Sequence, residues 1–242
     1  MVTLNRPEAG NSINSCLAEE LADVCTTINL DEELKVAIIT AAGEKAFCAG
    51  TDPEELPAFI AGEEETRLIS VAAPVAGLRL PVIAAINGDA LGQGLELALA
   101  SDLRIAAETA RFAVTHIASG LIPWDGATQR LPRIIGKAMA MEMIITGKYI
   151  DAQEACQMGL VSRLVPAKEL LPTAMALART MAGKATIALQ YAKEAIRTGT
   201  ELTLEQGLRF ESDLYFLLQT TEDRTEGIRA FLEKRAPKFK GK

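Results

Sequence analysis

Positive charge is scarce along this chain. Its 242 residues carry 25 Lys and Arg against 32 Asp and Glu, a net charge of −7, and no basic block occurs before the last ten residues. A nucleic-acid binder needs a concentrated basic face to displace counterions, so that class of partner is not expected. Lys234, Arg235, Lys238, Lys240 and Lys242 in the tail read either as a solvated end or as a holder of phosphate. Cysteine is equally sparse: Cys16, Cys25, Cys48 and Cys156 show no C-x-x-C spacing and sit among small or apolar residues. That pattern excludes a zinc site or a disulfide framework and fits reduced thiols in a cytoplasmic protein. No apolar run of 18 residues escapes interruption by charge, so no membrane-spanning helix is expected. Strand-like and turn sequence follows Met1, with no basic region and apolar core of a secretory leader. There is a single histidine, His116, and a single tryptophan, Trp124.

What is present is an ordinary soluble composition, 49% hydrophobic and 24% charged, in a chain long enough for one large domain or a domain with an appendage. The stretch from Pro81 to Arg104, PVIAAINGDALGQGLELALASDLR, carries the most information. It reads as a buried strand (Pro81 to Ile86), a turn (Asn87, Gly88, Asp89) and a helix that includes Ala90 and Leu91, with Gly92 and Gly94 near its start. The helix is apolar on nearly every side, so it belongs in the interior. Glu96 alone disagrees. A buried carboxylate costs several kcal/mol unless it is paired or hydrogen-bonded, and a carboxylate kept at that cost is a candidate for acid/base work. At the mouth of the same helix, N–H groups without intrahelical partners favour a negative oxygen, and the glycines let it approach. From this stretch alone, a packing turn with a satisfied carboxylate is an equally good reading.

Along the rest of the chain, Asn14 to Leu30 has the helical period, with Asn14 or Ser15 as cap. Val36 to Thr40 is a buried strand, Ala41 to Asp52 a turn-rich connection, and Glu63 to Leu80 a helix. Short strands are expected at Leu103 to Ala106 and Arg111 to Val114, then a loop from His116 to Gly126 and helices at Thr128 to Ile134 and Lys137 to Thr146. Asp151 caps a short helix, Leu160 to Val165 is a last strand, and every later segment has helical spacing. The expected architecture is a layered α/β core over residues 1–182 and a helical region over 183–242, with Phe210, Leu214, Phe216 and Leu217 as apolar anchors for oligomer contacts or for folding back on the core.

Taken together, LNRPEAGNSIN (Leu4 to Asn14), EKAFCAGTD (Glu44 to Asp52), the Pro81 to Arg104 stretch, the run from Gly120 to Val165 and EGIRAFLEKRAPKF (Glu226 to Phe239) resemble the enoyl-CoA hydratase/isomerase (crotonase) superfamily over essentially the whole chain. The resemblance implies a spiral of ββα turns with a C-terminal helical trimerisation region, assembled as a trimer or a hexamer of two trimers. It also implies a coenzyme A thioester ligand, with no other cofactor and no metal. The thioester oxygen would be held by the backbone N–H groups of Thr51 and Gln93, with Ala49, Asp52 and Gly92 lining the same place. Fixed donors aimed at a developing oxyanion cost no reorganisation.

Two positions depart from the family pattern. Gln93 stands where glycine is common, and the second of the two hydratase glutamates falls on His116, while the first matches Glu96. An imidazole exchanges a proton near neutral pH, so His116 is a candidate partner for Glu96. Asp125 is another, or else the N-cap of the helix after Gly126. Trp124 would wall the acyl pocket or fill core. Lys45, with Phe231 and Lys234 from a neighbouring subunit, matches positions that approach the nucleotide, whereas Glu8 and Glu54 replace lysines. The implied activity is hydration of an α,β-unsaturated acyl-CoA, with a cyclic dienoyl thioester as a candidate substrate. A double-bond isomerase, or a non-catalytic binding subunit of the same fold, are the alternatives.

Overall fold

The computed structural model describes residues 1–55 and 69–242. Five strands, β1 (Val2–Leu4), β2 (Ala37–Ala41), β4 (Val82–Ile86), β6 (Leu103–Ala107) and β9 (Arg163–Val165), form one parallel sheet in that order. A second sheet is built from β3 (Ala46–Cys48), β5 (Asp89–Leu91), β7 (Arg111–Ala113) and β8 (Ile150–Asp151), with only β8 antiparallel. Three times the chain lays a strand in the first sheet and the next in the second, which is the spiral repeat the family resemblance implies.

Alternation along the central strands explains why they are mostly apolar, Thr40 and Arg104 being the polar members. Ile38, Ile83, Ala85 and Ile105 face Leu170 and Ala174 of a helix at Leu170–Ala182, while Ile39, Val82, Ala84, Ile86 and Ala106 join the main core. A strand covered on both faces takes a polar side chain only where it finds a partner, as Thr40 does by donating from Oγ1 to Ala85 O at 2.9 Å.

Helix α1 (Ser15–Leu30) is capped by Asn14, whose side chain accepts from Leu17 N–H at 3.0 Å. Of the helix expected from Glu63 to Leu80, residues 63–68 lie outside the described part, and in the remainder only α2 (Ala72–Ala76) is helical. Gly77 ends it by donating to Ala73 O, and Pro81 biases the residue before it toward extended backbone. Ala90 and Leu91 belong to β5, paired with β3 and β7, and not to the helix predicted to include them. That helix, α3, spans Gln93–Ala100. Gly92, at φ +51, separates strand from helix, in a left-handed conformation disfavoured for other residues. Further differences are β3 inside the predicted connection, β8 ahead of the Asp151 helix, and a 3-10 turn at Thr115–Ser119 inside the predicted loop.

Helices α4 (Ala127–Ile135), α5 (Lys137–Thr146), α6 (Ala152–Gln157) and α7 (Leu170–Ala182) complete the core. Beyond them α8 (Thr186–Gly199) packs along α9 (Leu204–Leu218), followed by α10 (Glu222–Leu232). Lys193 fastens α8 to the core through Asp102 Oδ2 at 2.8 Å and Leu80 O at 2.9 Å. The basic tail folds back: Arg235 pairs with Glu226, and the Lys240 and Gly241 N–H groups donate to buried Asp223. The tail is thus tied down through its backbone and Arg235, while its lysine side chains remain exposed to solvent.

Candidate active site

Every residue of α3 is buried, and Glu96 is wholly inaccessible. One carboxylate oxygen, Oε1, accepts from the N–H groups of Asp125 at 3.0 Å and Ala127 at 2.9 Å. The other, Oε2, has no hydrogen-bond partner among the described residues and lies 3.4 Å from His116 Nε2. A charge-assisted N–H···O contact closes to about 2.7–2.9 Å, so this pair stands slightly apart. His116 is held by the 3-10 turn after β7, where its ring passes over Gly92: a Cβ built on that glycine would be 3.7 Å from His116 Cε1. The ring's Nδ1 is also buried, with no hydrogen-bond partner among the described residues.

Asp125 is buried beside them but points elsewhere. Its Oδ2 accepts from Val71 N–H at 2.9 Å and Ala72 N–H at 3.1 Å at the start of α2, and from Gln93 Nε2 at 3.3 Å, while Oδ1 accepts from the Ser70 hydroxyl. The carboxylate thus serves the N–H groups at the mouth of α2. The N-cap position of α4 is occupied by Gly126, so the capping alternative considered for Asp125 assigns it to the wrong helix.

The two candidate donors to a thioester oxygen come from different sheets of contact. Thr51 pairs with Ile13 in a parallel bridge. In that bridge Ile13 N–H donates to Gly50 O and Asp52 N–H donates to Ile13 O, both at 2.8 Å, which turns the Thr51 N–H to the opposite side. Gln93 is the first residue of α3, so its N–H has no intrahelical acceptor. The two segments touch: a Cβ built on Gly50 would lie 3.8 Å from Gln93 N. The Gln93 side chain, 2% exposed, accepts from Thr51 Oγ1 at 3.1 Å.

Other predicted positions are placed as follows. Asp52 is buried, with its carboxylate accepting from the Glu54 N–H at 3.1 Å and from Arg6 Nη1 at 2.8 Å, and these contacts hold its pKa below the ordinary carboxylate value. Ala49 is exposed beside Gly10. Lys45 is exposed and its carbonyl accepts from Asp89 N–H. Trp124 is 37% exposed, which rules out the alternative that it fills core. Phe231 and Lys234 stand at the exposed end of α10. No cluster of three or more metal-ligating His, Cys, Asp or Glu side chains occurs among the described residues, and no helix among them is long and apolar enough to cross a membrane.

The family model described as Enoyl-CoA hydratase/isomerase matches residues 1–242. The chain belongs to the enoyl-CoA hydratase/isomerase family. It is 41% identical to the (E)-benzylidenesuccinyl-CoA hydratase of Thauera aromatica, over 99% of this chain and 94% of that protein. Identity to the 2,3-dehydroadipyl-CoA hydratase of Escherichia coli is 42%, covering 100% and 95%. The crystal structure of an enoyl-CoA hydratase from Bacillus anthracis superposes with a TM-score of 0.90 at 44% identity, covering 99% of this chain and 94% of that one.

In this hydratase/isomerase family member Glu96, His116, Thr51, Gln93 and Asp125, all candidates from the sequence, lie together, but other groups that hold them were not among those candidates. The N–H of Ala127, the Ser70 hydroxyl and the mouth of α2 all meet the site through contacts spanning 31 to 55 residues. No local pattern signals such contacts.

Proposed function

We propose that this protein is an acyl-CoA hydratase that adds water across the α,β double bond of a coenzyme A thioester. The observation that carries the reading is the unpartnered Glu96 Oε2, fixed by its sister oxygen and facing His116 Nε2 at 3.4 Å. Glu96 takes a proton from water as the water oxygen bonds to the β carbon. The electron pair of the double bond moves toward the thioester carbonyl, and the enolate oxygen rests on the N–H groups of Thr51 and Gln93. Protonated His116 then delivers its proton to the α carbon. Transfer from Glu96 back to His116 across their short gap resets the pair. Asp125 acts as a positioning residue, since its N–H orients Glu96 while its carboxylate is spent on α2 and Gln93.

The thioester carbonyl provides the electron sink, so no cofactor beyond the coenzyme A of the substrate enters the step. Ala49 and Gly92 line the thioester, and Asp52, through Arg6, holds the Thr51 loop. Trp124, with exposed Leu121 and Ile122 beside it, borders the acyl group and favours a bulky or ring-bearing one. Lys45, and Phe231 and Lys234 of a neighbouring subunit, meet the nucleotide end. Residues 183–242 form the oligomerisation region of a trimer or a dimer of trimers, because Leu204, Phe216, Phe231 and Leu232 leave large apolar areas uncovered on the single chain. The setting is cytoplasmic, in keeping with four free thiols.

Incubation with crotonyl-CoA and, separately, with a 3-enoyl-CoA tests the reaction. Formation of a 3-hydroxyacyl-CoA from crotonyl-CoA is the expected result. A conjugated product from the 3-enoyl thioester, with no water added to either, would make the protein an isomerase. No turnover of any thioester would leave it a binding subunit.

A further inference from the structure

The chemistry above uses only the backbone N–H of Gln93, yet the side chain is buried and bonded at both ends. Its Oε1 accepts from Thr51 Oγ1 at 3.1 Å, and its Nε2 donates to Ile69 O and to Asp125 Oδ2, each at 3.3 Å. The orientation of the amide is forced. Ile69 O is a carbonyl, and Asp125 Oδ2 already accepts from Val71 and Ala72, so both require the NH2 end. The carbonyl end is left to the Thr51 hydroxyl.

We infer that the Gln93 side chain is a positioning residue that sets the spacing of the two thioester-oxygen donors and joins them to the segment that orients Glu96. The inference rests on the hydratase reading of the site. Thr51 and Gln93 are 42 residues apart in the chain, and their N–H groups must converge on one oxygen. Productive geometry of this kind has to be kept within about 0.5 Å. On one side the Thr51 loop is anchored by the Ile13 bridge; the Gln93 amide anchors it on the other. The same amide reaches Asp125, whose N–H fixes Glu96 Oε1. One side chain thereby ties both donors and the acid to a single frame. A glycine at position 93 would keep the donor but lose the tie.

A double-mutant cycle tests this, read on the enoyl-CoA that the wild-type protein hydrates fastest among crotonyl-, octenoyl- and cinnamoyl-CoA. Thr51→Val and Gln93→Met keep both backbone N–H groups and remove the bond between the side chains. Each should lower kcat about tenfold with KM little changed, less than the hundredfold or more that follows loss of a donor outright. The double variant should be no slower than the slower single one, because both break the same contact. Thr51→Ser, which restores a hydroxyl, should recover most of what Thr51→Val loses, and this arm stands even if Gln93→Met fails to fold. Multiplicative effects, unchanged kcat in Thr51→Val, or a loss confined to KM would overturn the inference. Glu96→Gln, run alongside, separates the two levels. If it turns over like wild type, or if the wild-type protein hydrates none of the thioesters, the reading of the site itself fails.

Discussion

Glu96 and His116 face each other, carboxylate oxygen to ring nitrogen, at 3.4 Å, with Glu96 on the buried helix α3. Because the second Glu96 oxygen is pinned by two N–H groups, the carboxylate cannot rotate away from the ring without breaking both bonds. In the proposed reaction the pair would move protons at that one place, while the Asp125 carboxylate is turned elsewhere by its own bonds.

That arrangement separates His116 from Asp125 experimentally. His116→Ala should lower the rate of water addition by roughly 10²- to 10⁴-fold, the usual contribution of a positioned acid or base, with the urea midpoint little changed. Asp125→Ala should chiefly destabilise, by about 3 kcal/mol, because it strands the Val71 and Ala72 N–H groups in a buried setting. Steady-state kinetics and urea denaturation of the two variants check both outcomes.

Gly94 is held by contact. A Cβ there would overlap the Cys48 carbonyl oxygen and come within 2.6 Å of Cys48 Cβ, both in a fully buried segment. Gly94→Ala should therefore cost about 3 kcal/mol or more, at the upper end of overpacking effects. At Gly120, which unlike Gly94 lies in the left-handed region and has nothing within 4 Å, the same change should cost about 1 kcal/mol of backbone strain. Chemical denaturation of both variants tests the ordering.

The four thiols should differ sharply in reactivity. Burial pushes the Cys25 thiol up to about 11 and the Cys48 thiol up to about 12, so neither offers thiolate near neutral pH. Cys16 is exposed and Cys156 half-buried. Iodoacetamide followed by peptide mapping should label Cys16 first, and Cys25 and Cys48 only after unfolding.

Asp52 gives a pH dependence with a definite sign. The Glu54 N–H and the Arg6 guanidinium hold its carboxyl below the ordinary value of 3.8, so the native state favours the charged form. Its stabilising contribution is present above that value and fades as pH falls through the lower native one. Asp52→Asn should be less stable than wild type at pH 7, and the difference should shrink as denaturation curves are taken below about pH 4.

Much of this was legible in the sequence, for stateable reasons. Glu96 stood out because it is the one charged residue in an apolar helix, and Asn14 and Asp151 were readable as caps from composition and position. The short strands were not. Asp89–Leu91 has no β-branched residue and runs into helix-forming sequence, and it is a strand only because β3 and β7 flank it. The grip of Asp125 on α2 and the Gln93 to Thr51 bond join distant segments through side-chain geometry, which periodicity does not record. His116 beside Glu96 was indicated by family resemblance alone, since a lone histidine has no spacing to read.

The most direct test of the central claim is the turnover of Glu96→Gln on the best enoyl-CoA substrate, in protein shown by its melting curve to be folded. The account predicts a fall in kcat on the order of 10²-fold or more with the thioester still bound, because the amide occupies the same space but cannot accept the water proton. Hydration at the wild-type rate would contradict it.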